Sequence, residues 1–385
     1  MKPKPCGFNA RHHTPYPSHF AKAVGHEEKM EAAPPLLMSP PGRPKGEYRS
    51  AQHEGTLMMS TRQRQPAPCL TSARRSRLAL AAAGVLVLLL GAASSAARAV
   101  EIRFERVADG VFAHIGELGP RSVANEGLNA NLGLVLTPAG AVLIDSGATF
   151  DSARQIHAAV KRITALPVRW VINTGGQDHR WLGNGYFKAQ GAEIMAHAQG
   201  QADMRNRGND HLETLRAALG AKVEGTLPTL PTRWLAAADE GLEIGGVVFE
   251  FRHRGGAHTP GDMLVWLPQQ RVLFSGDVVY VDRMLGVIAV SQTQPWLATF
   301  AEIERLAPAR IVPGHGRVTD LATAQADTRE VLLALRAHMK KALDEGQDIG
   351  AAVKSFAAQP YLRLANAAEL VPGNASRIYL ELERE

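Results

Sequence analysis

From residue 101 onward, apolar and polar positions change period repeatedly. Ile102 to Val107, Val111 to Ile115, Asn131 to Thr137 and Ala141 to Ile144 alternate with period two, the last pair around a Pro138-Ala139-Gly140 turn. Period two puts every second side chain on one face, so these segments predict antiparallel strands and a hairpin. Over 151–163 the spacing becomes helical, and Val168 to Asn173 is a short apolar run with β-branched residues, as in a buried strand. Helical spacing returns at Gly183 to Gln190 and Gln201 to Leu219, separated by a strand at Glu193 to Ala196. The second half repeats the scheme, with strands expected at Leu242 to His253, Met263 to Leu267, Arg271 to Phe274 and Ala309 to Val312, and a helix at Trp296 to Leu306. A long amphipathic helix is expected from Leu321 to Leu343, with Leu332, Leu335, Met339 and Leu343 on one core-packing stripe. Two stacked sheets inside flanking helices would bury this pattern, which makes the fold class α/β.

The first 99 residues break the pattern. Residues 1–68 hold 11 of the 23 prolines and little apolar periodicity. Arg74, Arg75 and Arg77 then precede the apolar run Leu78 to Ala93 and the small residues Ala97-Arg98-Ala99. That order predicts a secretory signal cleaved after Ala99, since 16 apolar residues fall short of the ~20 that span a membrane. An uncleaved anchor is the alternative. Such signals begin near a chain start, which makes Met58 or Met59 a candidate start of translation. The expected organisation is a leader at 1–73, a signal peptide at 74–99, an α/β domain at 100–320 and a helical extension of it at 321–385, in the periplasm or secreted.

Four loops that follow apolar strands carry His or Asp. They are Asp178-His179, His258 within Gly255-Gly256-Ala257-His258-Thr259-Pro260-Gly261-Asp262, Asp277 in Ser275-Gly276-Asp277, and His315 in Pro313-Gly314-His315-Gly316. Glycine and proline beside each let the backbone turn sharply. One such loop alone would be a surface turn. Imidazoles and carboxylates converging at one end of a sheet suit a Zn-type or Fe-type site.

In this order the chain resembles the metallo-β-lactamase superfamily, which also includes glyoxalase II-type hydrolases and persulfide dioxygenases. The resemblance spans about Glu101 to Gly316 and includes Leu143-Ile144-Asp145-Ser146-Gly147, Asn173-Thr174, the Asp-His pair, Gly183-Asn184 and the three downstream loops. Among members it resembles periplasmic ones found near sulfur-oxidation and quinoprotein systems, partly through Arg377 to Glu383. The resemblance implies a four-layer αββα sandwich, the metallo-β-lactamase fold. Members carry Thr-His-x-His-x-Asp-His, whereas this chain reads Thr174-Gly175-Gly176-Gln177-Asp178-His179. With Asp178-His179 taken as the Asp-His pair, the loop is one residue shorter and both early histidines are missing. By resemblance the first metal position keeps His258 and the shared Asp277, and the second keeps Asp178, His179, Asp277 and His315. One Zn²⁺ is expected, with Fe or Mn as alternatives, and Asp178 would also orient the attacking hydroxide or relay its proton. Four protein ligands resemble a closed site, so activity would need five-coordination or a loosely held Asp277. Gln177, His258, Arg180 and the Gly175 and Gly176 amides are candidate oxyanion donors, although the glycines could equally serve to close the loop.

Charge and composition narrow this further. Of 43 Lys and Arg, 14 lie in residues 1–99, as do 5 of 37 Asp and Glu, so the whole chain is +6 while residues 100–385 are −3. A basic leader therefore explains the overall charge, and nucleic acid is not an expected partner, nor is a membrane once the signal is cleaved. Cys6 and Cys69 both precede residue 100, leaving the mature part without disulfides or thiolate ligands. It contains no Gly-x-Ser-x-Gly elbow, phosphate-binding loop or dinucleotide turn. The expected function is an exported mononuclear hydrolase acting on an ester, thioester or lactam. Alternatives are a non-catalytic metal-binding protein on the same fold, binding a sulfur compound or redox partner, or a persulfide dioxygenase-like oxidoreductase. His197 reads as a neighbour of the site, His114, His157, His211, His253 and His338 as structural or exposed, and Trp181, Tyr280 and Trp296 as core or pocket lining.

Overall fold

The computed structural model describes residues 101–385. The expected leader, signal peptide, cleavage point and both cysteines lie outside the described residues.

The first sheet has seven strands in chain order: β1 (Glu105–Ala108), β2 (Val111–His114), β3 (Leu132–Thr137), β4 (Gly140–Ile144), β5 (Val168–Ile172), β6 (Glu193–His197) and β7 (Arg233–Leu235). Pairing is antiparallel from β1 to β4 and parallel from β4 to β7. Parallel neighbours need crossovers, which α1 (Phe150–Ile163) and the short helices α2 (Asp178–Trp181) and α3 (Asn184–Ala189) supply, followed by α4 (Gln201–Leu219). Helix α1 starts where it does because Thr149 and Ser152 cap each other. The Thr149 side chain accepts from Ser152 N at 3.0 Å, and Ser152 Oγ accepts from Thr149 N at 2.9 Å.

The second sheet has β8 (Asp239–Ile244), β9 (Val247–Arg252), β10 (Leu264–Leu267), β11 (Val272–Tyr280) and β12 (Arg310–His315), in the order β12-β11-β10-β9-β8. Only β11 and β12 run parallel, joined through α5 (Thr293–Leu306). Alternate residues sort the apolar side chains into separate layers. Val135, Val142, Ile144 and Ile172 meet Phe249, Phe251, Val265 and Phe274 between the sheets. Their neighbours Leu134, Leu143, Val171 and Ile194 face outward onto Ile156 and Val160 of α1. Leu264, Leu273 and Ile311 face the opposite way, onto Trp296 and Phe300 of α5 and the C-terminal helices. The result is the four-layer αββα sandwich.

Two expected elements are corrected. Leu242 to His253 is a hairpin rather than one strand, turning at Gly245 and Gly246 with φ of 57° and 82°. A two-residue turn preserves the period-two phase, so the pattern runs through it unbroken. The expected helix at 321–343 is interrupted. It begins as α6 (Leu321–Ala324), widens into a π turn at Gln325–Arg329 and continues as α7 (Glu330–Asp344). The wide turn presents Thr328 Oγ1 to Tyr280, accepting from its N at 2.9 Å and donating to its O at 2.6 Å, and Asp327 to Asp282 N at 3.0 Å. After α8 (Ile349–Ser355), the last helix α9 (Ala367–Leu382) packs on α7. Among the described residues no helix is long and apolar enough to cross a membrane.

The sheets approach closely at Gly133, where an added β-carbon would overlap the Phe274 ring. Gly133→Ala is expected to lower stability by ~1–3 kcal/mol through overpacking. Urea unfolding reads this directly, and an unchanged midpoint would show that the sheets can separate there.

Candidate metal centre

The site lies where strand ends and loops from both sheets meet. Asp145 leaves β4 with φ of 63° and accepts from Thr174 N at 2.7 Å and Thr174 Oγ1 at 2.8 Å. Asn173 and Asn184 pair side chain to side chain, and Asn173 Nδ2 also holds Arg180 O at 2.8 Å. These bonds fix the 175–177 loop and α2, which carries His179. From the second sheet, Asp277 follows the left-handed Gly276 (φ 51°) inside β11, and His315 ends β12.

His179 Nε2 stands 3.1 Å from Asp277 Oδ2, and His315 Nε2 3.3 Å from Asp277 Oδ1. The two imidazoles meet edge-on at 83°, and one donor atom from each of the three buried residues lies within 4.8 Å of the others. His315 Nδ1 is 2.7 Å from Asn129 O, which directs Nε2 inward. Tyr280 stacks on His315 with centroids 5.0 Å apart.

Asp178 is outside this group, which corrects its expected place among the ligands. Asp178 points instead to Arg121, and its Oδ1 also accepts from His179 N at 2.8 Å and Gln177 Nε2 at 3.2 Å. The same oxygen lies 3.3 Å from His179 Nδ1, so Asp178 orients the ring rather than competing for its metal. His258 is likewise outside the three-residue group. Its Nδ1 is 2.7 Å from Gly286 O, and its ring sits between Tyr280 and Trp296 at 6.2 and 5.9 Å.

The loop is not short after all. Counting from Thr174 without a gap puts Gly175, Gln177, His179 and Arg180 on the His, His, Asp and His of the motif, and it is His179 and Arg180 that face Asp277. Arg180, a candidate oxyanion donor from the sequence, is buried to 1 % exposure and fully engaged. Its Nη2 and Nε (3.2 Å) grip both oxygens of Asp277, and its Nη1 reaches Asp145 Oδ2 at 3.0 Å and Asn131 O at 3.2 Å. The Gly176 amide is also taken, donating to Thr259 Oγ1 at 2.9 Å. At Gly175, where the motif has its first histidine, an added β-carbon would overlap Asp262 Oδ1. Gln177 Oε1 is buried without a hydrogen-bond partner.

Burial sets the electrostatics. It would raise the Asp277 and Asp178 carboxyls, but Arg180 together with His179 and His315 at Asp277, and Arg121 together with His179 at Asp178, outweigh it and hold both well below the usual range. Burial pushes Asp262 up to about 7, and it raises Asp145 despite Arg180 and Thr174. It lowers His258 to about 4 and His315 to about 3, so both rings are neutral at pH 7. His211, expected to be structural or exposed, is buried near Asp178 with neither ring nitrogen hydrogen-bonded and is lowered to about 4.

The model of the metallo-β-lactamase superfamily matches residues 125–315, a span that ends on His315. The chain belongs to the metallo-β-lactamase superfamily. Members of the superfamily are mostly hydrolases. A metallo-β-lactamase type 2 of Bacillus cereus is 26% identical over 214 residues, covering 54% of this chain and 74% of that protein. A β-lactamase-like protein 2 homolog of Caenorhabditis elegans is 28% identical over 111 residues, covering 26% of this chain and 36% of the relative, so the match spans about a third of that protein. Among solved structures, a double mutant of the sec-alkyl sulfatase PisA1 superposes with a TM-score of 0.57 at 16% identity, covering 72% of this chain and 50% of that one. A metallo-β-lactamase from Pontibacter korlensis gives a TM-score of 0.48 at 22% identity, covering 60% and 99%.

Two outcomes are expected. Arg180→Met, which strands Asp145 and Asp277 as buried unpaired charges, should cost ~3–5 kcal/mol in urea unfolding; a loss below ~1 kcal/mol would mean water replaces the guanidinium. The second concerns pH. Unfolded histidines protonate below about 6.5, whereas His197, His211 and His258 stay neutral in the fold down to about 4 and His315 to about 3. The folded state then binds fewer protons across this interval, so stability falls as pH drops through it. Asp262, raised to about 7, and Asp145, also raised, act with the opposite sign, two carboxyls against these four imidazoles and the likewise lowered His114, His157 and His253. Unfolding in chelator at pH 7 and pH 5 checks the balance, and equal stability at the two would contradict it.

Proposed function

We propose that the protein is a hydrolase using one divalent metal held by His179, Asp277 and His315, acting on a small ester, thioester or lactam. The convergence of these three buried donors supports the reading. They fit a metal chemically, because each imidazole has its outer nitrogen beside a fixed partner. His315 Nδ1 faces the Asn129 carbonyl, and His179 Nδ1 faces Asp178 and, at 3.1 Å, Arg121. With Asp178 outside the set, three protein ligands remain, the number that leaves a position for water, whereas the expected four would have closed the site. Two nitrogens and one oxygen suit Zn²⁺, with Fe or Mn as alternatives. A divalent ion there supplies Lewis acidity, which activates water and polarises a carbonyl.

The protein's own groups do the rest. His258 is neutral at pH 7, and with Nδ1 committed to Gly286 its Nε2 can accept a proton from water. Asp178 holds the His179 ring in place, and Arg180 keeps Asp277 ionised. One observation favours a second reading. Arg180 already neutralises Asp277, as a retired scaffold that binds a sulfur compound or redox partner without a metal would need. Export from the cell belongs to the same proposal, with a mature N-terminus at Val100 that intact-mass analysis would reveal.

Elemental mass spectrometry of the purified protein separates the readings. About one equivalent of metal is expected, lost in His315→Ala together with ester hydrolysis. Asp178→Asn should retain the metal with affinity weakened by about 10–100-fold, as loss of an orienting partner does. Protein free of metal even after incubation with zinc would sink the hydrolase reading.

A further inference from the structure

The C-terminal extension, which lies beyond the matched span 125–315, reaches back towards the metal centre through one asparagine. Asn374 sits within helix α9 and is 2 % exposed. Asparagine is a poor residue for a helix interior, and a buried amide is costly unless its donor and its acceptor are both met. Here both are. Asn374 Oδ1 accepts from Val287 N and Asn374 Nδ2 donates to Leu285 O, each at 2.8 Å. A neighbouring strand would offer the same pairing, and a single side chain makes it here to the two residues that flank Gly286.

Gly286 needs such a restraint. Glycine is the most flexible residue, and a β-carbon added at this position would meet nothing closer than His258 Cε1 at 3.8 Å, so sterics alone do not fix its peptide. Its carbonyl lies 2.7 Å from His258 Nδ1. A carbonyl only accepts, so the proton of the neutral ring is on Nδ1 and Nε2 keeps its lone pair. Ser291 Oγ donates to His258 O and accepts from Ile288 N, each at 2.9 Å, which ties the backbone of His258 to the same segment. A tilt of the Gly286 peptide would free Nδ1, let the proton move to Nε2 and turn the ring's acceptor into a donor.

We propose that Asn374 is a positioning residue for His258. By bracketing Gly286 it fixes the carbonyl that keeps the ring proton on Nδ1, and so holds Nε2 ready to take a proton from water. The catalytic use of Nε2 rests on the hydrolase reading, whereas the choice of tautomer does not.

The test is long-range proton–nitrogen NMR of the full chain with nitrogen-15 histidine, at pH 7 in chelator, the His258 signals being assigned by their loss in His258→Gln. Wild type should show one tautomer, protonated on Nδ1. Asn374→Leu, close to asparagine in size but unable to bond either residue, should show shifts averaged between the two tautomers. With zinc bound, the same variant should hydrolyse 4-nitrophenyl acetate with kcat lowered by about ten-fold or more at unchanged KM and metal content, within the ~10²–10⁴-fold that general-base catalysis supplies. A proton on Nε2 in wild type, or the same tautomer in wild type and Asn374→Leu, would overturn the proposal, because an asparagine that only packs the extension would change stability alone. If Asn374→Leu does not fold, Asn374→Asp carries the comparison, since an ionised carboxylate still accepts from Val287 N but cannot donate to Leu285 O. A tautomer change in a protein that hydrolyses nothing would refute the hydrolase reading while leaving the positioning role intact.

Discussion

A buried guanidinium gripping two carboxylates organises the centre of this protein. Arg180 joins Asp145, at the end of the fourth strand, to Asp277, inside the eleventh, and so ties the first sheet to the second at the end where the site lies. Neither carboxylate could be ionised in that interior alone, and an isolated arginine there would be equally unfavourable. Around this triad the ligands take their directions. Arg180 donates from the same short helix that presents His179, so fixing one aims the other, and the gripped Asp277 lies between the two imidazoles.

The arrangement changes what the site asks of a metal. A carboxylate already neutralised by arginine attracts a cation less strongly than a free one, so affinity must depend more on the two imidazoles and on their orientation by Asn129 and Asp178. In exchange, Asp277 stays ionised over the whole physiological range, and metal binding need not displace a proton from it.

Much of the fold was legible in the chain because burial imposes its periods directly. Strands buried on one face alternate, and helix α1 announces itself through spacing. The hairpin at Gly245-Gly246 was hidden because an even-numbered turn leaves the alternation in phase, and the π turn at 325–329 because a one-residue widening hardly disturbs an amphipathic stripe. In the site, His179, Asp277 and His315 could be found from their loops. The place of Asp178 is hidden because the Asp-His dipeptide mimics the motif's own pair, whereas counting from Thr174 points to His179 and Arg180. The role of Arg121 was not legible at all, since it arises from contacts between segments far apart in sequence.

The packing of Asp262 against Gly175 bears on how this chain can change. The space that a histidine at that position would need is filled by a carboxylate held by Thr259, which in turn receives the Gly176 amide. The departure from the family motif is thus locked in by its neighbours, and a single reversion meets a steric barrier before it gains a ligand. Any route back to a two-metal site, in nature or by directed evolution, must pass through coupled substitutions at both positions, an epistatic ratchet built into one close contact.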